Sequence, residues 1–148
     1  MHIRLAQESD YQKIYELVQT AFLTAQVSDG TEQDFVLKLR KGDTFIPQLE
    51  FVAEDNNELI GHIMMTKQNI QTQNGILTGV LVAPLCVKKE YRNQGIGRAL
   101  ITHAHQCARQ LGYQAAFLVG DPLYYHRFQY FQTSSTLKII QKSLINMF

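Results

Sequence analysis

The chain has 148 residues and 17.0 kDa, with 45% hydrophobic and 18% charged residues, a composition that suits one soluble globular domain spanning 1–148. The net charge of +1 gives no global attraction to nucleic acid or an acidic membrane, so neither is expected as a partner. No apolar run approaches the roughly 20 residues of a membrane span and no signal-peptide pattern opens the sequence, so a cytoplasmic location is expected.

Residues 2–6 alternate polar and apolar and predict a first strand. Ser9-Asp10-Tyr11-Gln12 has the form of a capping box, opening a helix whose stripe is Tyr11, Ile14, Tyr15, Val18, Ala21 and Phe22. Ser28-Asp29-Gly30 signals a turn, and a second helix over about Thr31 to Arg40 turns Phe35, Val36 and Leu39 inward. Strands follow over Leu49–Glu54, Leu59–Gln68 and Ile76–Val87, punctuated by Asp55-Asn56-Asn57-Glu58 and by Asn74-Gly75. The last of these is largely continuously apolar, as a strand covered on both faces would be. Pro84 cannot donate to a ladder, so a bulge or break in pairing is expected there.

A strongly periodic helix comes next, with Ile96, Ala99, Leu100, His103, Ala104, Cys107, Ala108 and Leu111 at three-four spacing and Gly112 as its cap. Residues 115–119 predict another buried strand, and Asp121-Pro122 begins a short helix through about Phe128. Residues 129–148 have mixed strand character.

Lys88, Lys89, Arg92 and Arg98 concentrate positive charge locally, which fits a small anionic ligand as well as it fits a solvated basic face. Between them lies Arg92-Asn93-Gln94-Gly95-Ile96-Gly97. Its glycines let a ligand approach the backbone, and the helix behind it points free N–H groups at the same spot, an arrangement suited to phosphate. A third glycine is missing at Leu100, against a dinucleotide fingerprint, and the Gly-Lys-Ser/Thr of an ATP loop is missing too. Cys86 and Cys107 read as small buried hydrophobes. No histidine base is placed beside Cys86 in sequence, against a covalent nucleophile, and the five histidines show no metal-ligand spacing, so no metal is expected.

The Arg-x-x-Gly-x-Gly pattern after a strand ending in Leu85-Cys86-Val87 resembles the acetyl-CoA-binding motif of the GNAT superfamily of N-acetyltransferases. The segments APLCVKKEYRNQGIGRALI and LVGDPLYYHRF together resemble its YhbS-like branch, and the element order agrees along essentially the whole chain. The resemblance implies an α+β, three-layer fold: a mixed, mostly antiparallel sheet splayed at its centre, with helices on both faces.

It also implies an acetyl-CoA-dependent transfer of an acetyl group to a primary amine, by direct attack in a ternary complex. Leu85, Cys86 and Val87 would pair with the pantetheine arm, and the amides of Gln94, Gly95, Ile96, Gly97 and Arg98 would hold the pyrophosphate. Arg92 would shape the turn, Asn93 would belong to the cofactor-binding set, and Lys88, Lys89 or Arg98 would meet the 3′-phosphate. A backbone N–H at Cys86 or Val87 would face the oxyanion. Tyr125 is the expected general acid, with Tyr124 as fallback, and Glu32 the candidate general base; each has a plain packing or surface alternative. His62 could line the cleft but reads first as a packing or hydrogen-bonding residue, and His103 reads as core.

In that branch the short helix ends in Arg-Phe-Gly-Phe, where this chain has Arg127-Phe128-Gln129-Tyr130; Gln129 must therefore take a turn that glycine makes easily. Related proteins continue past a position like Phe148, so an incomplete final hairpin is one expectation. A non-catalytic acyl-CoA-binding sensor is the alternative function. Homodimerisation through the terminal strands, the acceptor, and the acyl length carry no readable code.

Overall fold

The computed structural model describes residues 1–23, 30–119, 125–132 and 143–147. The elements run β1 (His2–Leu5), α1 (Tyr11–Phe22), α2 (Glu32–Arg40), β2 (Phe45–Asp55), β3 (Glu58–Thr72), β4 (Gly75–Val87), α3 (Ile96–Gln110), β5 (Ala115–Val119), β6 (Phe131–Gln132) and β7 (Ser143–Met147). The strands form one sheet in the order β1-β2-β3-β4-β5-β7-β6, with helices on both faces, the GNAT-like α+β arrangement expected from the sequence.

All pairings are antiparallel except β4 with β5, which α3 connects as a crossover. The parallel pairing covers only Gly79↔Ala115, Val80↔Ala116 and Leu81↔Phe117. From Val82 onward β4 keeps β3 on one side and has no β5 partner on the other, so the sheet opens there. The opening begins where Pro84 interrupts the strand: Ile63↔Leu85 and Met65↔Val82 leave an extra β4 residue opposite Met64, a bulge. At the closed end, a Cβ on Gly79 would lie 2.5 Å from the Phe117 ring and 2.7 Å from the Ala115 carbonyl oxygen, so only glycine lets the strands meet so closely.

The central strands alternate between two cores. Phe51, Ala53, Ile63, Met65, Val80 and Val82 meet α3 through Ile96, Leu100, Ile101, Ala104 and Ala108. Val52, Leu59, Met64 and Cys86 meet Ile14, Leu17, Val18 and Ala21 of α1 and Val36 of α2. Both faces being covered, β4 reads as a largely continuous apolar run, and β3 is buried from Leu59 to Thr66.

Several local expectations shift. Helix α1 is not capped by Ser9: a 3-10 turn over Glu8–Asp10 leads in, and the Asp10 carboxylate accepts the Gln7 N–H at 2.8 Å while gripping Arg4 of β1 at 2.7 and 2.9 Å. On α2, Val36 is buried and Leu39 half-buried, but Phe35 is 47% exposed; Gln33 is buried instead, donating to the Gly30 carbonyl. Strand β2 begins at Phe45 rather than Leu49 because a register break before Glu50 absorbs Pro47. On α3, Ile101 and His105 join the buried stripe while Leu111 is 48% exposed. Gln129 adopts φ 65°, ψ 31°, the left-handed conformation its replacement of a glycine demanded.

Candidate active site

The opening between β4 and β5 is a cleft of about 410 Å³. Among the described residues its walls come from three stretches far apart in sequence: the end of β4 with the turn into α3, the C-terminal end of α1, and the short segment at Tyr125–Phe128.

Leu85, Cys86 and Val87 form one wall. Lys88 donates its N–H to the Ile60 carbonyl, so by strand alternation the Cys86 amide also faces β3. The amides of Leu85 and Val87 face the open side, where an extended ligand can pair with them.

The floor is the turn into α3. Asn93 (φ 63°) and Gly95 (φ 82°) take left-handed conformations and curl the backbone into a concavity that gathers N–H groups. Gly95 is the N-cap of α3, no side-chain cap bond satisfies the first amides, and a Cβ placed on Gly95 would meet nothing within 4 Å. The turn is therefore roomy, electropositive and supplied with donors, and fits a phosphate group. Arg92 holds it in place, donating from Nε to the Val87 carbonyl at 3.1 Å and from Nη2 to the Ala21 carbonyl at 2.8 Å.

These residues bring together what the motif predicted. Arg92, Asn93, Gly95, Ile96, Gly97 and Arg98 all line the cleft with the three β4 residues, and Gln94 lies in the same turn. Tyr125 lines it too, its ring edge-on to Phe128 (6.2 Å) and Tyr130 (6.1 Å). Behind that cluster Tyr130 and His105 of α3 share a 2.5 Å hydrogen bond, bracing the segment on the helix. Tyr124 falls outside the described residues.

Residues 2–132 match the acetyltransferase (GNAT) domain family. The chain belongs to that family. It is 31% identical over 108 residues to the uncharacterized N-acetyltransferase YhbS of Escherichia coli, covering 73% of this chain and 63% of YhbS. It is 28% identical over 123 residues to the uncharacterized N-acetyltransferase YjhQ of the same organism, covering 83% and 65%. The chain thus spans less than two thirds of either relative. Among solved structures, a GNAT acetyltransferase from Brucella melitensis in complex with acetyl-CoA superposes with a TM-score of 0.81 at 24% identity, covering 99% of this chain and 87% of that one. E. coli YhbS in complex with CoA gives 0.78 at 24% identity, covering 99% and 80%.

Other predicted residues of this GNAT chain are placed elsewhere. Glu32 is half-buried on α2 and does not line the cleft, although its Oε2 atom is buried without a hydrogen-bond partner among the described residues. Lys88 is paired with Glu58, and Lys89 lies with it on a separate groove beside α1. Of the proposed 3′-phosphate contacts, Arg98 alone borders the cleft, its guanidinium 5.1 Å over the Phe128 ring. Burial pushes the Cys86 thiol up to about 12, which keeps it protonated and argues against a nucleophile. Among the described residues no cluster of metal ligands occurs, and no helix is long and apolar enough to cross a membrane.

Sequence reasoning missed a buried ionic network. Arg40 of α2 donates to Glu50 of β2 from Nε at 3.0 and 3.2 Å and from Nη2 at 2.6 Å, and His62 Nε2 of β3 lies 2.8 Å from Glu50 Oε2. Burial opposes Glu50's charge, but the bonds from His62 and Arg40 outweigh it and hold the carboxyl below its ordinary value. Burial likewise pulls His62 below its ordinary value, against the pull of Glu50. The cleft residues Arg127 and Phe128 were also missed, because only the fold brings them to α3.

Proposed function

We propose that this chain is an acetyl-CoA-dependent N-acetyltransferase acting on a primary amine by direct attack in a ternary complex. The observation that carries the reading is the cleft itself, where β4 amides that face away from β3, a phosphate-suited turn and Tyr125 meet. The ligands named for the Brucella and YhbS structures support acetyl-CoA as the donor.

Leu85 and Val87 pair through their outward amides with the pantetheine arm, as an added strand. The turn amides from Gln94 to Arg98 hold the pyrophosphate, kept in shape by Arg92 and Asn93, and Arg98 meets the 3′-phosphate. The Val87 N–H, rather than that of Cys86, faces the developing oxyanion, since it points away from β3. Tyr125 gives its phenolic proton to the departing thiolate. For the amine's proton the sequence candidate is Glu32, whose Oε2 is buried without a hydrogen-bond partner among the described residues.

The test has two stages. Acetyl-CoA is expected to raise the melting temperature, because it binds the folded state alone. A screen of amines, polyamines, amino acids and peptides then seeks acetyl-CoA-dependent thiol release. Tyr125→Phe is expected to lower turnover by about 10²-fold or more at unchanged acetyl-CoA affinity. Binding without transfer to any amine would favour the sensor reading instead.

A further inference from the structure

Charge is unevenly spread along this chain. Residues 1–90 hold eight basic side chains against twelve acidic ones, whereas residues 91–148 hold six against Asp121 alone. Three of those six, Arg98, Arg109 and Arg127, meet at a hollow of about 420 Å³ that adjoins the cleft on the exposed side of α3.

The hollow follows from helix periodicity. Arg98, Thr102, His105, Gln106 and Arg109 recur at three-four spacing and share one face of α3. Phe128 is buried beside that face, and the Arg98 and Arg127 guanidiniums stand over its ring at 5.1 and 5.9 Å. An aromatic face steadies a guanidinium while leaving its N–H groups to donate sideways. All three arginines are exposed. Among the described residues no carboxylate lines the hollow, and Asp121 offsets at most one of the three charges. His105 adds none, because burial and then the Arg109 charge hold its imidazole down to about 4. A face that serves solubility alone mixes both signs, whereas one sign gathered in a concavity attracts a compact anion. Guanidinium forks match phosphate oxygens in pairs, and a phosphate monoester carries about −1.5 to −2 charge at pH 7.

We propose that the hollow is a binding site for a phosphate monoester, held by Arg109 and Arg127 with Arg98 at the border shared with the cleft. Arg98, Arg127 and Phe128 line both spaces, so a ligand lying on the turn into α3 continues into the hollow. The monoester has two sources. One is the 3′-phosphate of an acyl-CoA donor, which rests on the transferase reading above; the other is a separate phosphorylated small molecule, which does not.

The experiment measures Kd by calorimetry for the wild type, Thr102→Glu, Arg109→Gln and Arg127→Gln. All three side chains are exposed, so the variants are expected to fold, and Thr102 and Arg109 line the hollow but not the cleft. One arm compares acetyl-CoA with acetyl-dephospho-CoA, which lacks only the 3′-phosphate. If the donor supplies the monoester, the wild type prefers acetyl-CoA by about 10-fold or more, and the substitutions shrink that preference toward unity. The other arm titrates inorganic phosphate onto the wild type, both free and saturated with acetyl-CoA. If the ligand is separate, phosphate binds in both states and the variants lose that binding. The proposal is overturned if Thr102→Glu and Arg109→Gln leave both the preference and the phosphate affinity as in the wild type. A response to Arg127→Gln alone also overturns it, since the phosphate then lies in the cleft. Binding of neither ester removes the donor reading, while the phosphate arm on the free protein still decides the hollow.

Discussion

Where α3 meets β2 and β3, packing is mostly apolar: Leu100 and Ile101 are 0% and 1% exposed and press on Phe51, Ile63 and Met65. The opposite face, under α1 and α2, sets Arg40, Glu50 and His62 among Val36, Val52 and Met64, with Glu50 1% and His62 0% exposed. The first face holds the sheet and presents the phosphate-suited turn, which backbone amides can form without costly side chains. The second gives up apolar packing to place a charged network beside Cys86. A buried network is a poor means to stability, so its presence there points to a positioning task.

Four measurements break or sharpen that contrast. The largest effect is expected at Glu50. Glu50→Ala leaves the Arg40 charge buried and unpaired and should cost about 3–5 kcal/mol in denaturant unfolding. Replacing the whole network by Arg40→Met, Glu50→Leu and His62→Leu should recover most of that stability, because no charge is then stranded. If Glu50→Ala is silent, the network is not the buried unit described.

The acid limb of stability comes next. Burial, reinforced by the Arg109 charge, lowers His105 of α3 to about 4. The unfolded chain takes up that proton near pH 6.5 and the folded chain does not, so stability present above pH 6.5 is lost as pH falls toward 4, on the order of 3 kcal/mol. His62 and Glu50 are also lowered and act in the same direction. In melts across this range, His105→Gln should flatten the α3-side contribution and leave the slope owed to the other face.

Gly95→Ala should cost about 1–2 kcal/mol, since φ 82° is strained for alanine while its Cβ meets nothing within 4 Å. It should also weaken acetyl-CoA binding in the thermal-shift assay, whereas the Arg40–Glu50–His62 network should be unaffected. The smallest effect is a gain: Gln129→Gly should add about 0.5–1 kcal/mol by relieving φ 65°, read as a rise in melting temperature.

The sequence by itself determined the turn into α3 and the opened strand before it. Gly95-Ile96-Gly97 before a strongly periodic helix, a proline-broken apolar strand before that, and Gln129 where a glycine is expected are all local. Their consequences are written in neighbouring backbone dihedrals and in hydrogen bonds that glycine or proline permits or forbids. The order of elements, the bulge at Pro84 and the left-handed Gln129 were legible for the same reason. The α1 cap was misassigned because Asp10 answers to Arg4 of β1 as well as to its own helix. Phe35 and Gln33 exchanged roles because a nine-residue helix carries too few turns for its periodicity to fix the buried side. Only the tertiary structure decided that Arg40, Glu50 and His62 form one network, that Tyr125 shares a cleft with Leu85 and Gly95, and that Glu32 stands outside it. Such groupings depend on strand register and helix docking, which join residues with no common local signal; a histidine in an alternating strand looks the same whether it only packs or bonds to a buried carboxylate.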